Sequence, residues 1–209
     1  MVNRSQTKYS KRKESVLTMN NQYISELIHT LDQTRIYIEN DTALDYDAGM
    51  QTLIECFTRH KKEGTQIFFI GNGGSSAIAS HMTADFMKNG GMKTYSLYDN
   101  AVTTCMGNDY GYEYVFSRPL EFLGQERDLL VAVSSSGNSQ NIVNAISMAN
   151  VKDMETVTFT GFKEDNKSRQ LGTINVYVPS EKYGIVESIH NLMLQQVVDM
   201  IMERDGVRL

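Results

Sequence analysis

The chain has 209 residues, a formal net charge of −5, 41% hydrophobic and 22% charged residues. These values suit one soluble α/β domain and speak against nucleic acid as the main partner. No apolar run approaches the ~18 residues of a membrane helix and no secretory leader is visible. Cys56 and Cys105 lie outside any CxxC spacing, so the expectation is a cytoplasmic protein in which both are buried free thiols.

Residues 1–18 carry Arg4, Lys8, Lys11, Arg12 and Lys13 with almost nothing apolar, and are expected to form a flexible basic tail. A single domain over 19–205 follows. Tyr23, Ile24, Leu27, Ile28, Leu31 and Ile36 fall at helical spacing, which predicts a first helix over 19–37. Met50, Leu53, Ile54 and Phe57 do the same within 44–62. This helical pair (19–63) forms an arm whose apolar faces need cover, which suggests oligomerisation. His29 and His60 lie on the arm and read as surface or packing residues.

Gln66 to Ile70 is apolar, aromatic and β-branched without polar alternation, the pattern of a strand buried on both faces. It breaks into Gly71-Asn72-Gly73-Gly74-Ser75-Ser76, a turn whose glycines can take positive φ, and Ser75 or Ser76 is a natural N-cap for a helix over 75–88. A short strand at 93–97 follows, then a short helix with a polar turn (99–111), then a helical stretch 112–123 interrupted near Arg118-Pro119. Asp128 to Val133 is a third strand. It ends in Ser134-Ser135-Ser136-Gly137-Asn138-Ser139 ahead of a helix at 140–149, repeating the earlier device. Strands at 155–160 and 174–178, a polar linker between them and a last helix over 184–203 complete the pattern. Alternating strands and helices imply a doubly wound, five-stranded parallel sheet flanked by helices.

Two small-residue turns at the carboxyl ends of parallel strands point to a ligand at the place where strand order reverses. Neither is GxGxxG, no acidic residue ends the second strand for a ribose, and no Gly-Lys-Ser/Thr follows, so no nucleotide cofactor is expected. Hydroxyls and backbone N–H groups at helix N-termini, gathered without a lysine, suit one phosphate monoester on a small molecule.

The segment Gly71 to Phe86, the turn Ser134 to Ser139, and Gly107-Asn108-Asp109-Tyr110-Gly111 together resemble the sugar isomerase (SIS) domain family, more narrowly its phosphoheptose isomerase branch. The resemblance implies the SIS fold with flavodoxin-like strand order. It implies a phosphosugar held by Ser75, Ser134, Ser135, Ser136 and Ser139, with Asn72 and Gly73 supporting and Asn108 and Asp109 on the sugar chain. It also implies a homotetramer with sites shared between subunits, and zinc near the sugar carbonyl. The metal set would be His81, Asp85, Glu187 and Gln195, a metal-free site being the alternative.

The chain departs from the family at the catalytic positions Asp85, Glu187 and Gln195. Asp85 stands for a glutamate, Glu187 for a glutamine and Gln195 for a histidine. Asp85 can still act as a base, with less reach, whereas Gln195 cannot exchange a proton. His190 lies about 140° round the helix from Gln195 and is expected to face the core or a subunit contact. Two functions therefore stand: an aldose–ketose isomerase of sedoheptulose 7-phosphate or a similar sugar phosphate, and a non-catalytic phosphosugar-binding regulator or scaffold of the kind that binds a replication initiator.

Overall fold

Ile67 to Ile70 and Leu129 to Val133 are apolar at every position, so each needs cover on both faces. In the computed structural model, which describes residues 4–38 and 41–207, they lie in the central strands β3 (Gln66–Gly71) and β5 (Leu129–Ser134) of a seven-stranded sheet. The other strands are β1 (Arg35–Ile38), β2 (Thr42–Leu44), β4 (Lys93–Ser96), β6 (Glu155–Thr160) and β7 (Ile174–Tyr177). Their order is β2-β1-β7-β6-β5-β3-β4. β4, β3, β5, β6 and β7 run parallel in the expected flavodoxin-like order.

The strand count differs from the expected five because β1 and β2 extend the sheet as an antiparallel hairpin, with Ile36 opposite Val176 of β7. Ile36 fits a helical stripe as well as a strand. The free edge of β7 decides for the strand, since pairing satisfies its backbone and buries Ile36 completely. The helical pair is thus a helix, a hairpin and a helix: α1 (Arg4–Gln33) ends four residues before Tyr37, and α2 (Tyr46–Glu63) begins after an Asp45 N-cap. α1 also starts at Arg4, not Met19. The lysines, arginines and glutamate of the expected basic tail are good helix formers with no glycine or proline among them, so they propagate the helix that the apolar stripe anchors. Residues 1–3 of that tail lie outside the described residues.

Six further helices follow: α3 (Gly74–Lys88), α4 (Asn100–Tyr110), α5 (Ser117–Leu123), α6 (Gln140–Val151), α7 (Lys167–Leu171) and α8 (Tyr183–Arg204). Successive side chains of a strand point to opposite faces. Ile67, Phe69, Leu129, Val131 and Val133 therefore pack with α2, α3 and α8 in one core, and Phe68, Ile70, Leu130 and Ala132 with α6 and Leu120 of α5 in the other. Pro119 does not break α5. It lies in the first turn, where its missing N–H costs nothing, and the chain bends before it after a 3₁₀ turn at Tyr112–Tyr114. α7 is a short helix inside the expected polar linker, started by Asn166, whose Oδ1 accepts from Arg169 N.

Both thiols are free, but only Cys56 is buried; Cys105 is exposed because α4 buries none of its residues. His60 is a packing residue. Its Nε2 lies 2.9 Å from Glu155 Oε2 and its Nδ1 2.7 Å from Thr65 Oγ1.

Candidate functional site

Strand order reverses between β3 and β5, because β4 lies on one side of β3 while β5, β6 and β7 follow on the other. The two turns leave the carboxyl ends of these neighbours. A cavity of 240 Å³ opens there, lined by both turns (Asn72, Gly73, Gly74, Ser75, Ser134, Ser135, Ser136, Ser139) and by Tyr183 and Glu187 of α8.

Each wall has a local cause. Gly73, not Ser75 or Ser76, is the N-cap of α3, with φ 54° and ψ −121° and no side-chain capping bond. A left-handed φ of this kind favours glycine. It starts the helix at Gly74, two residues earlier than a Ser75 cap would, and leaves Ser75 buried. Ser139 is the N-cap of α6, yet its hydroxyl makes no capping bond. Ser135 is buried and its Oγ has no hydrogen-bond partner in the protein, while its carbonyl oxygen accepts from Gly161 N at 2.9 Å. A buried hydroxyl left unsatisfied on a cavity wall is a group kept for a ligand or water. The β3 turn is held from behind by Tyr98, whose Oη donates to the Gly71 carbonyl oxygen at 3.1 Å and whose burial pushes its own pKa up.

Glu187 reaches the cavity by passing over Gly74. A Cβ at Gly74 would stand 2.6 Å from Glu187 Oε2, so a side chain there would push the carboxylate from this position. Tyr183 precedes Glu187 by four residues and shares its helix face. The sequence reading placed Gly74 in the turn but missed Tyr183. The i, i+4 relation to Glu187 was the available signal for the tyrosine.

The remaining expected residues do not line this cavity. Asn108 and Asp109 sit in the last turn of α4, bonded to one another (2.8 Å). His81 and Asp85 form an i, i+4 pair on α3 at 3.4 Å, with the histidine more than half exposed. Gln195 Nε2 donates to Asp199 Oδ1 at 3.0 Å along its own helix. His190 is fully buried in the core, as expected. Its Nε2 lies 3.1 Å from the Thr160 carbonyl oxygen, and burial pushes its pKa down to about 4, so it is neutral at pH 7.

Zinc needs its donors on one small sphere. Among the described residues, the group of three or more His, Cys, Asp or Glu with donor atoms within 4.8 Å of one another is Cys56, His60 and Glu155, not His81, Asp85 and Glu187. The expected metal set therefore does not fit a metal within one chain. The Cys56 group lies at the amino end of β6, away from the cavity. Its Glu155 is already bound through both oxygens by Arg59 Nη2 (3.0 and 2.7 Å). Burial by itself would raise the Glu155 carboxyl; hydrogen bonds from His60 and Arg59 outweigh it and hold the pKa at about 2.

A doubly wound sheet with a serine-rich twin-turn cavity at its switch point defines an SIS domain protein, and the chain belongs to that family, the SIS domain matching residues 37–161. Within it, the chain is 35% identical to the phosphoheptose isomerase of Akkermansia muciniphila over 174 residues, covering 80% of this chain and 91% of the relative. It is 33% identical to that of Serratia proteamaculans over 190 residues, covering 88% and 96%. The solved phosphoheptose isomerase of Neisseria gonorrhoeae superposes with a TM-score of 0.76 at 26% identity, covering 89% of this chain and 99% of that one.

Proposed function

We propose that the chain is an aldose–ketose isomerase of a sugar phosphate, with sedoheptulose 7-phosphate as its substrate. The observation that carries this reading is the cavity at the switch point. It combines uncommitted serine hydroxyls, two helix N-termini and one carboxylate. Kinship with phosphoheptose isomerases supports it.

The phosphate accepts hydrogen bonds from Ser75, Ser134, Ser135, Ser136 and Ser139, aided by the positive ends of α3 and α6. The sugar chain then runs toward Tyr183 and Glu187. Glu187 is the carboxylate that a single chain presents to the cavity. It takes the proton from the carbon beside the carbonyl and returns it to the neighbouring carbon through an enediol, while the Tyr183 hydroxyl relays the proton between the two oxygens. Asp85 and His81 enter a site only across a subunit contact in this scheme. A homo-oligomer accordingly belongs to the proposal, and two surfaces support it: α4 buries no side chain, and α1 exposes Met19, Tyr23, Ile24 and Ile28. Zinc has no step in it, because the donors do not gather. Free thiols suit a reducing cytoplasm, and among the described residues no helix is long and apolar enough to cross a membrane.

The non-catalytic reading is favoured by Gln195, which bonds to Asp199 and lies outside the cavity. One experiment separates the two. Purified protein is incubated with sedoheptulose 7-phosphate and aldose formation is followed by NMR, for the wild type, Glu187→Gln and Asp85→Asn. The isomerase reading expects turnover that Glu187→Gln abolishes without loss of binding. Binding without turnover in the wild type replaces it with the binding-protein reading. Turnover that survives Glu187→Gln and dies in Asp85→Asn moves the base to Asp85.

A further inference from the structure

Asn72 follows β3 directly and lines the cavity, so the direction in which its amide points decides what the cavity offers a ligand. An amide side chain has two acceptor lone pairs and two donor hydrogens. Three of these four valences of Asn72 are spoken for. Its Oδ1 accepts from Asn141 Nδ2 at 2.9 Å and from Tyr112 Oη at 3.0 Å, and its Nδ2 donates to Asn141 Oδ1 at 2.9 Å. The one left is an N–H.

The orientation of this amide pair is not arbitrary. Asn141 is buried in the first turn of α6, and its Oδ1 also accepts from the backbone N–H of Ile142 at 3.0 Å. A backbone N–H can only donate, so the oxygen of Asn141 must stand where it does. Its NH₂ group must then face Asn72, and Asn72 must in turn present its oxygen to Asn141 Nδ2 and its nitrogen to Asn141 Oδ1. Polarity thus passes in one direction, from the α6 backbone through Asn141 to Asn72. The same pair ties the turn after β3 to the helix after β5, across 69 residues of sequence.

We infer that Asn141 is a positioning residue that fixes Asn72 as a pure hydrogen-bond donor toward the cavity. The site thereby selects ligand oxygens that accept, such as those of a phosphoryl group, over groups that only donate. Tyr112 completes the arrangement by filling the second lone pair of Asn72. Asn141 does not line the cavity, so all of its influence on the ligand runs through Asn72. This inference rests on the phosphosugar reading of the cavity.

The test is a double-mutant cycle read by calorimetric titration with sedoheptulose 7-phosphate. It uses the wild type, Asn141→Ala, Asn72→Ala and the double variant, with the urea midpoint of each recorded. Asn141→Ala is expected to weaken binding about tenfold, as for loss of one well-placed hydrogen bond to a charged group. Asn72→Ala is expected to do the same, and the double variant to be no weaker than Asn72→Ala. Asn141→Asp is a second probe. Its carboxylate cannot donate to Asn72 Oδ1, so it should bind at least as weakly as Asn141→Ala. A merely structural Asn141 would still lower affinity in the Asn72→Ala background; that result, or unchanged binding in both folded Asn141 variants, overturns the inference while leaving the phosphosugar reading intact. A wild type that does not bind the sugar phosphate overturns both.

Discussion

Ser135→Ala should move stability and affinity in opposite directions. The hydroxyl is buried, lines the cavity and has no protein partner. An unsatisfied buried hydroxyl costs roughly 1–3 kcal/mol in the folded state. Its removal deletes a single oxygen atom, so the packing loss is small. The free protein should gain about 1 kcal/mol, which for a chain of this size raises the melting temperature by about 2–4 °C. In the complex the same hydroxyl donates to a charged phosphoryl oxygen, a bond worth about 2 kcal/mol, so the variant should bind sugar phosphate roughly 30-fold more weakly. Scanning calorimetry on the free protein and titration calorimetry with sedoheptulose 7-phosphate read the two effects. A variant that is less stable and binds normally would show that Ser135 is a packing residue, and the cradle would have to be redrawn around the other serines.

Acid should destabilise the fold in two windows. His190 is pushed down to about 4 by burial, whereas the unfolded chain takes up its proton near 6.5. Stability from this group is complete above that unfolded value and is lost as pH falls through about 4. Glu155, at about 2 in the fold against a reference of 4.5, contributes above pH 4.5 and loses its contribution as pH falls toward 2. Each shift corresponds to about 3 kcal/mol at most. Urea midpoints measured from pH 7 to pH 3 should fall through the first window in the wild type. Glu155→Gln should start lower and lose the second window; a midpoint flat from pH 6.5 to 4 would contradict the burial of His190. The two cysteines should also separate by accessibility. A thiol-reactive disulfide reagent should label Cys56 only after unfolding, whereas Cys105 is reachable wherever α4 is not covered by another subunit. A Cys56 that reacts in the native state would contradict the packing of α2 against β6.

Much of the site was legible in the chain because its signals are local. The strand at Gln66, the glycine turn and the helix it launches are adjacent in sequence, and so are Leu129, the serine turn and α6. Most elements after residue 44 keep their expected bounds within the fraying usual at helix and strand ends; what changed type was 35–37, expected as helix and found in β1. Ile36 suits both periods, and only the unpaired edge of β7, some 140 residues away, makes it a strand.

Sequence by itself determined the buried central strands, their turns and the expectation of a phosphate cradle, since those follow from composition and short spacing. The tertiary structure decided which residues share the cavity. Tyr183 and Glu187 join it from α8, the Glu187 carboxylate lying over Gly74, where no side chain stands in the way. His81, Asp85 and Gln195 stay outside it because helix spacing aligns residues along one helix and says nothing of which face its neighbour covers. The orientation of Asn72 was equally invisible, being set by an amide 69 residues away.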